Sequence, residues 1–418
     1  VTKIGVLRML VTRSLRQHAL ATLVTALSMA LASGLVLAVY AIESQARAAF
    51  ASAGTEYDAV LGTRGSPLQL VLNSVFHIDK SPGNLPWDEY EKVKRDPRVA
   101  LAVPYAVGDS YRGFRIVGTT TDAIPAGEVG EGGRLAGGVG RVFDPTLHEA
   151  VLGSFAAART GLTVGSKFHP SHNDDDRDVH DDEYLVVGVR APTNTPADRV
   201  IWIPIDGIFH MSDHVLRGAG GEYHATSDEA VPDEVKEVGA VMLKLRGPHD
   251  GIALREEINV KGKTATLAWP IGTVTANLFD QLGWAYRVLT LVANLVCVVA
   301  AASILASVYN TISERRREFA ILRALGARRG TVFAAIVAES AAISATGALL
   351  GFAVYAAVML AAAAVVRAQT GVVVEAFRFA WFLVVVPLGM TALGALCGLV
   401  PAFKAYRTDV AENLAPTS

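Results

Sequence analysis

The sequence predicts an α-helical membrane protein, with four transmembrane helices and one large α/β domain outside the membrane. Three observations predict it. Hydrophobic residues make up 51% of the 418 and charged residues only 19%, too apolar a balance for an ordinary soluble chain of two or three domains. The apolar residues gather in four segments, 19–42, 288–312, 331–366 and 379–403, each long enough for the roughly 20 residues that a helical span requires. Charge is divided as well: residues 43–283 hold 34 acidic and 23 basic side chains, the rest 6 and 15, so the net charge of −2 conceals a polarised molecule.

Taken in order, residues 1–18 place Ile4, Leu7, Val11 and Leu15 at helical spacing among Arg8, Arg13 and Arg16, the pattern of an amphipathic helix lying at the cytoplasmic interface. Residues 19–42 follow a basic flank, as a signal peptide would. The apolar core is about twice the usual length of a signal-peptide core, so the segment reads as a true span. Lys3, Arg8, Arg13, Arg16, the basic run from Arg315 to Arg329, Lys404 and Arg407 fall on one side of the spans. By the positive-inside rule that side is cytoplasmic, which places both termini in the cytoplasm and 43–283 outside. The second span, 284–312, is expected to carry an outward stalk from Thr273, because Val274, Leu278 and Leu282 keep helical spacing into Leu289. Such a helix would carry axial motion at about 1.5 Å per residue. Residues 313–330 form a cytoplasmic helix and loop, 331–366 the third span, 367–378 an outer loop, 379–403 the fourth span and 404–418 a cytoplasmic tail.

Within 43–283 the pattern alternates. Strands are expected at 57–62, 98–104, 110–118, 149–152, 184–189, 200–203 and 240–245, and helices at 86–95, 154–160 and 250–259, from period-2 and helix-period apolar spacing and Pro/Gly punctuation. A glycine-rich stretch at 127–140 interrupts the series. An α/β part built from both ends, with a β-rich insertion at about 126–235, follows. Cys297 and Cys397 both lie within spans, so a disulfide framework or thiolate metal site outside the membrane is excluded.

The most informative segment is SERRREFAILRALGA at 313–327. Phe319, Ile321, Leu322 and Leu325 fall on roughly one helical face and Gly326 follows as a stop signal. The run Glu314, Arg315, Arg317, Glu318, Phe319, Ala320, Leu322, Arg323, Ala324, Leu325, Gly326 resembles the cytoplasmic coupling helix of the FtsX/MacB/LolC class of ABC permeases. The phrases AVLGSFAAARTGLTVGSKF and YLVVGVR resemble the periplasmic domain of MacB-type permeases, with its porter and sabre parts. The resemblance implies a porter-like α/β part with a sabre-like insertion, in a permease of the bacterial cytoplasmic (inner) membrane. It implies a mechanotransmission subunit that acts as a dimer of itself or with a paralogue and is driven by a separate ATPase that binds the ATP. Phe319, Leu322 and Leu325 would insert into that ATPase, with Glu318 and Arg323 at the rim. A periplasmic or outer-membrane partner is a further expectation.

No GxxxxGK[ST], HExxH or GxSxG occurs in these residues, so the chain is not expected to be an enzyme, and nothing points to nucleic acid. Glu339 stands alone as an acid within an apolar run, where ionisable groups are costly and functional. Its place about ten residues from Arg329 suggests a structural or coupling pair with a loop arginine. Ala26, Ala30 and Gly34, Gly347 and Gly351, and Gly394 and Gly398 have the small-residue spacing of close helix contacts; they suit packing within the chain or a seam between copies, to which the first span and its neighbour are assigned. Nine of ten histidines lie in the outer segment. His169, His172 and His180 with Asp182, and His210 with His214 at i, i+4, are candidate ligands for a divalent transition ion, zinc above all; a calcium loop starting at Asp174 fails at Val179 and Leu185. Two other functions therefore stand beside the permease reading: a metal-handling ABC permease or sensor, and an FtsX-like regulator of an envelope partner without transport.

Overall fold

The structure, a computed structural model, describes residues 3–52, 56–78, 80–172, 180–211, 216, 223, 230–324, 326–370 and 379–407. The chain divides into a helical unit, Val1–Gln45, Leu282–Ala364 and Glu375–Ser418, and an α/β unit, Ala46–Gln281 and Val365–Val374. Helix α1 spans Lys3–Gln17 and α2 spans Ala19–Ser52, so the break falls at His18, the boundary that the loss of amphipathic spacing predicts.

Among the described residues the α/β unit is built on one ten-stranded sheet, with two short strands paired to each other apart from it. Its elements are β1 (Ala59–Thr63), α3 (Pro67–Ser74), β2 (Leu85–Pro86), α4 (Trp87–Lys94), β3 (Val99–Tyr111), β4 (Phe114–Thr119), β5 (Val139–Gly140), β6 (Glu149–Leu152), α5 (Ser154–Thr160), β7 (Lys167–Phe168), β8 (Tyr184–Val189), β9 (Ile201–Pro204), α6 (Ile205–His210), β10 (Glu237–Val238), β11 (Ala240–Leu245), α7 (Pro248–Arg255) and β12 (Ala265–Ala268). The order in the large sheet is β12-β1-β11-β3-β4-β9-β6-β8-β5, with β7 paired to β8; β2 and β10 are the separate pair. The pairs β4/β9 and β6/β8 are parallel. Side chains alternate between two cores: Ile201 and Ile203 of β9 join one and Trp202 the other, and Val241 and Leu243 of β11 oppose Met242. A strand buried on both faces reads as a continuous apolar run, as these do.

The two strands expected at 98–104 and 110–118 come out differently. β3 continues through to Tyr111, and the hairpin turns at Arg112 and Gly113, both at positive φ (49° and 79°). The strands of 149–204 also continue the sheet directly, since β9 pairs with β4.

The remaining helices are α8 (Ile271–Glu314), α9 (Arg316–Ala324), α10 (Arg329–Thr370) and α11 (Phe382–Arg407), of which residues 271–281 and 365–370 belong to the α/β unit and the rest to the helical unit. Among the described residues, four helices are long and apolar enough to cross a membrane: Ala19–Gln45, Gly283–Glu314, Arg329–Val366 and Phe382–Tyr406. Met29, Ile304, Ile336 and Met390 lie in their shared core. The small residues are accounted for within the chain. A Cβ on Gly347 would lie 2.6 Å from Met29 Cβ, and one on Gly34 would lie 2.7 Å from the Gly351 carbonyl oxygen, so α2 and α10 approach backbone to backbone. Gly394 and Gly398 likewise receive Ser344 and Ser340 of α10. Of the two expectations for these residues, packing within the chain is the one these contacts serve.

Candidate functional site

The helical unit places its charged chemistry at one corner. α8 ends at Glu314 and α9 begins at Arg316, leaving Arg315 at the joint. Its side chain is only 9% exposed. The guanidinium donates from Nε to Glu318 Oε2 at 2.9 Å and from Nη1 to Ser14 Oγ at 2.6 Å, and Nη1 stands 3.8 Å from Glu339 Oε2. The Ser14 hydroxyl in turn donates to Glu339. Arg315 also lies over the Phe319 ring, 5.1 Å from its centroid. One arginine thus ties α1, α9 and α10 together, which answers the desolvation cost of Glu339 with a charge and a hydroxyl. At the start of the same joint, His18 Nδ1 lies 3.6 Å from Glu314 Oε2.

α9 itself is amphipathic, but its apolar stripe faces its own unit. Ala320 is buried, Phe319 packs on the helical core, and Phe319 and Leu322 line a groove of about 140 Å³ with Met9, Val11, Val332 and Ile336. Phe319 and Leu322 are half-buried at this groove in the chain by itself. The outer side of α9 carries Glu318, Ile321 and Ala324, with Ile321 44% exposed; Arg323 is half-buried. Leu325 and the Arg317 side chain lie outside the described residues. Gly326, at φ 95°, ends the helix: its N–H bonds the Arg323 carbonyl and that of Ala327 the Leu322 carbonyl, a Schellman closure that requires a left-handed residue.

Sequence reasoning missed Ser14. Its signal was present, because Ser14 falls at i+7 from Leu7 and i+3 from Val11, a hydroxyl on the apolar face of α1.

In the α/β unit a second cluster forms around β3. Between the pairs Val107↔Val117 and Ser110↔Arg115, the residues Gly108 and Asp109 oppose Ile116 alone, a β-bulge, the feature that re-aims a side chain out of strict alternation. Ser110 then exchanges backbone hydrogen bonds with Ser171, at 2.8 and 2.9 Å, and the His180 N–H bonds the Pro170 carbonyl at 2.9 Å. These contacts bring His172 and His180 to Asp109. His172 Nδ1 is 2.8 Å and His180 Nε2 3.4 Å from Asp109 Oδ1, and the imidazole rings meet edge to face with centroids 4.3 Å apart. The Asp109 side chain has 0% exposure, that of His180 2% and that of His172 38%. Nearby in sequence, Tyr184 is buried against Phe168 and His148; burial first, then the carboxylates of Asp182 and Asp109, hold its phenol well above the ordinary tyrosine range.

Of the candidate metal ligands, His172 and His180 converge, and Asp109 joins them from 63 positions before His172 in sequence. His169 is exposed and stands outside the cluster, as does the half-buried Asp182. His210 closes α6, its Nδ1 at 2.8 Å from the Asp206 carbonyl; His214 lies outside the described residues. Elsewhere, an open cavity of about 860 Å³ is lined by Tyr57, Ile124, Phe143 and the charged Asp122, Arg141 and Lys244.

Comparison with known proteins bears on both units. Residues 290–410 match the family model described as FtsX-like permease C-terminal. Among solved structures the chain is similar to the periplasmic region of MacB from Actinobacillus actinomycetemcomitans, with 13% identity, a TM-score of 0.33, and coverage of 54% of this chain and 93% of that one. It is similar also to the extracellular domain of the noncanonic ABC-type transporter YknZ from Gram-positive bacteria, with 12% identity, a TM-score of 0.28, and coverage of 50% and 97%. No curated protein matches the sequence.

Proposed function

With residues 290–410 an FtsX-like permease region, we propose that the chain is the membrane subunit of an ABC transporter of the mechanotransmission type. In this reading it sits in a bacterial inner membrane with both termini cytoplasmic and the α/β unit outside. A separate ATPase subunit binds and hydrolyses ATP, a second copy or a paralogue completes the pair, and an envelope partner receives the output. The observation that supports it best is the Arg315 corner. A nine-residue helix that merely connected two spans would not need a buried arginine joined to α1 and α10. Anchored in this way, α9 turns as one body with α10, and force on its outer side reaches a spanning helix instead of being lost in a loose loop.

The surface offered to the ATPase is the outer side of α9, with Ile321 at its centre and Glu318 beside it. The test uses the permease co-purified with its ATPase from cells expressing both, in detergent, and follows vanadate-sensitive ATP hydrolysis. Ile321→Asp leaves the permease folded, because the side chain is already exposed, and abolishes co-purification or stimulated turnover. Undiminished coupling in that variant would show that α9 is not the handle.

A further inference from the structure

We infer that Asp109, His172 and His180 form a site for one divalent transition-metal ion in the α/β unit, of the zinc class. It would take the ion by two imidazole nitrogens and one carboxylate oxygen and leave a coordination position toward solvent. The inference stands on this unit's own geometry and does not depend on the coupling role of α9.

Four observations carry it. The donor atoms converge: His172 Nδ1 and His180 Nε2 stand 2.8 and 3.4 Å from the same Asp109 Oδ1, both inside the roughly 4 Å that two ligands of one ion at about 2.0–2.2 Å can span. Tetrahedral geometry at those bond lengths separates ligand atoms by about 3.3–3.6 Å, which the 3.4 Å between His180 Nε2 and Asp109 Oδ1 already matches. The His180 separation is long for a charge-assisted hydrogen bond, which prefers about 2.7–2.9 Å, while His172 at 2.8 Å hydrogen-bonds the carboxylate and would open by about half an ångström to admit the ion.

The site is also built before any ion arrives. The bulge aims Asp109, the Ser110–Ser171 exchange holds the strand before His172, and the Pro170 carbonyl holds His180. Ligands fixed by backbone bonds bind with less ordering cost than histidines on a free loop. The exposures fit an access route. Asp109 and His180 are closed off while His172 remains 38% exposed, so the ion enters past His172 and the fourth position faces outward. Finally, two imidazoles and a carboxylate without thiolate suit zinc and its neighbours over calcium or magnesium, which prefer all-oxygen sets, and the excess of acid over base in 43–283 favours cation approach.

The experiment uses the full chain in detergent, stripped with chelator and dialysed against zinc or cobalt(II), with bound metal counted per chain and the cobalt visible spectrum recorded. The expected result is saturable binding of one ion per chain, with intense visible bands of low-coordinate cobalt displaced by one equivalent of zinc. His172→Ala, at the exposed ligand, weakens binding at least about tenfold without changing the unit's circular dichroism. Asp109→Asn removes binding; should that buried change unfold the unit, His180→Gln provides the second internal ligand test. His169→Ala and His210→Ala leave affinity and spectrum unchanged. Absence of saturable binding overturns the inference, as does binding indifferent to His172→Ala. Equal losses on His169→Ala would mark loose capture by scattered histidines and overturn it too.

Discussion

Separating the two acidic partners of Arg315 tests whether that residue anchors α9. Distance and burial rank them in opposite ways. Glu318 is closer, at 2.9 Å against 3.8 Å for Glu339. Yet the Glu318 side chain is 49% exposed and that of Glu339 only 13%. Unit charges about 4 Å apart interact by about 1 kcal/mol in water and about 4 kcal/mol at an effective dielectric near 20, while exposed pairs give a net of about 0.2–1 kcal/mol. The Ser14 hydroxyl, 1% exposed and bonded to both Arg315 and Glu339, adds a charge-assisted link. Double-mutant cycles on Arg315→Met with Glu339→Gln and with Glu318→Gln, read from reversible unfolding in mixed micelles, should give couplings of about 2–3 kcal/mol for Glu339 and below about 1 kcal/mol for Glu318. Glu339→Gln alone costs about 3 kcal/mol by leaving the guanidinium under-compensated. A larger coupling to Glu318, or none to Glu339, would refute the anchor and the argument from burial over distance.

Three further outcomes are expected. Gly347→Leu sets a side chain where a Cβ already lies 2.6 Å from Met29 Cβ; it lowers the melting temperature of the solubilised chain by several degrees, whereas Gly389→Ala, with open space around its Cβ, does not. His77, its Nδ1 buried beside Tyr105 and Trp202, is drawn down to about 3 by desolvation and then by the Arg115 charge. The unfolded chain therefore binds the proton first, so stability is full above about 6.5 and falls as pH drops toward 3, by about 1–2 kcal/mol at pH 5; His77→Phe flattens that slope in acid unfolding of the chain. Cysteine at Val260, 68% exposed in the α/β unit, reacts with an impermeant thiol reagent in intact cells, and cysteine at Ile321 does not until the cells are opened; the reverse pattern would invert the proposed topology.

How far the sequence discloses such features depends on whether the signal is local. Hydropathy located the four long helices, and Gly326 marked the end of α9 because a left-handed residue there is a single-site requirement. Asp109 gave no such sign. It lies in an apolar strand, and only the two-against-one register with Ile116 turns it toward histidines more than 60 positions away. The orientation of Phe319 was hidden for a related reason: helical spacing says that a stripe exists, and α1, distant in sequence, decides what covers it. The small residues of α2 and α10 suited two kinds of neighbour equally until the backbone separations were known.

The long strand β3 belongs to both halves of the sheet in succession. Residues from Val99 to Tyr105 pair with β11, and from Ala106 onward the pairing passes to β4 on the opposite edge. The sheet is therefore spliced along a single strand, and the extra residue at Gly108–Asp109 lies just past the splice. Asp109 therefore sits beside the point where the two halves share one backbone, a place in the sheet that a peripheral loop would lack.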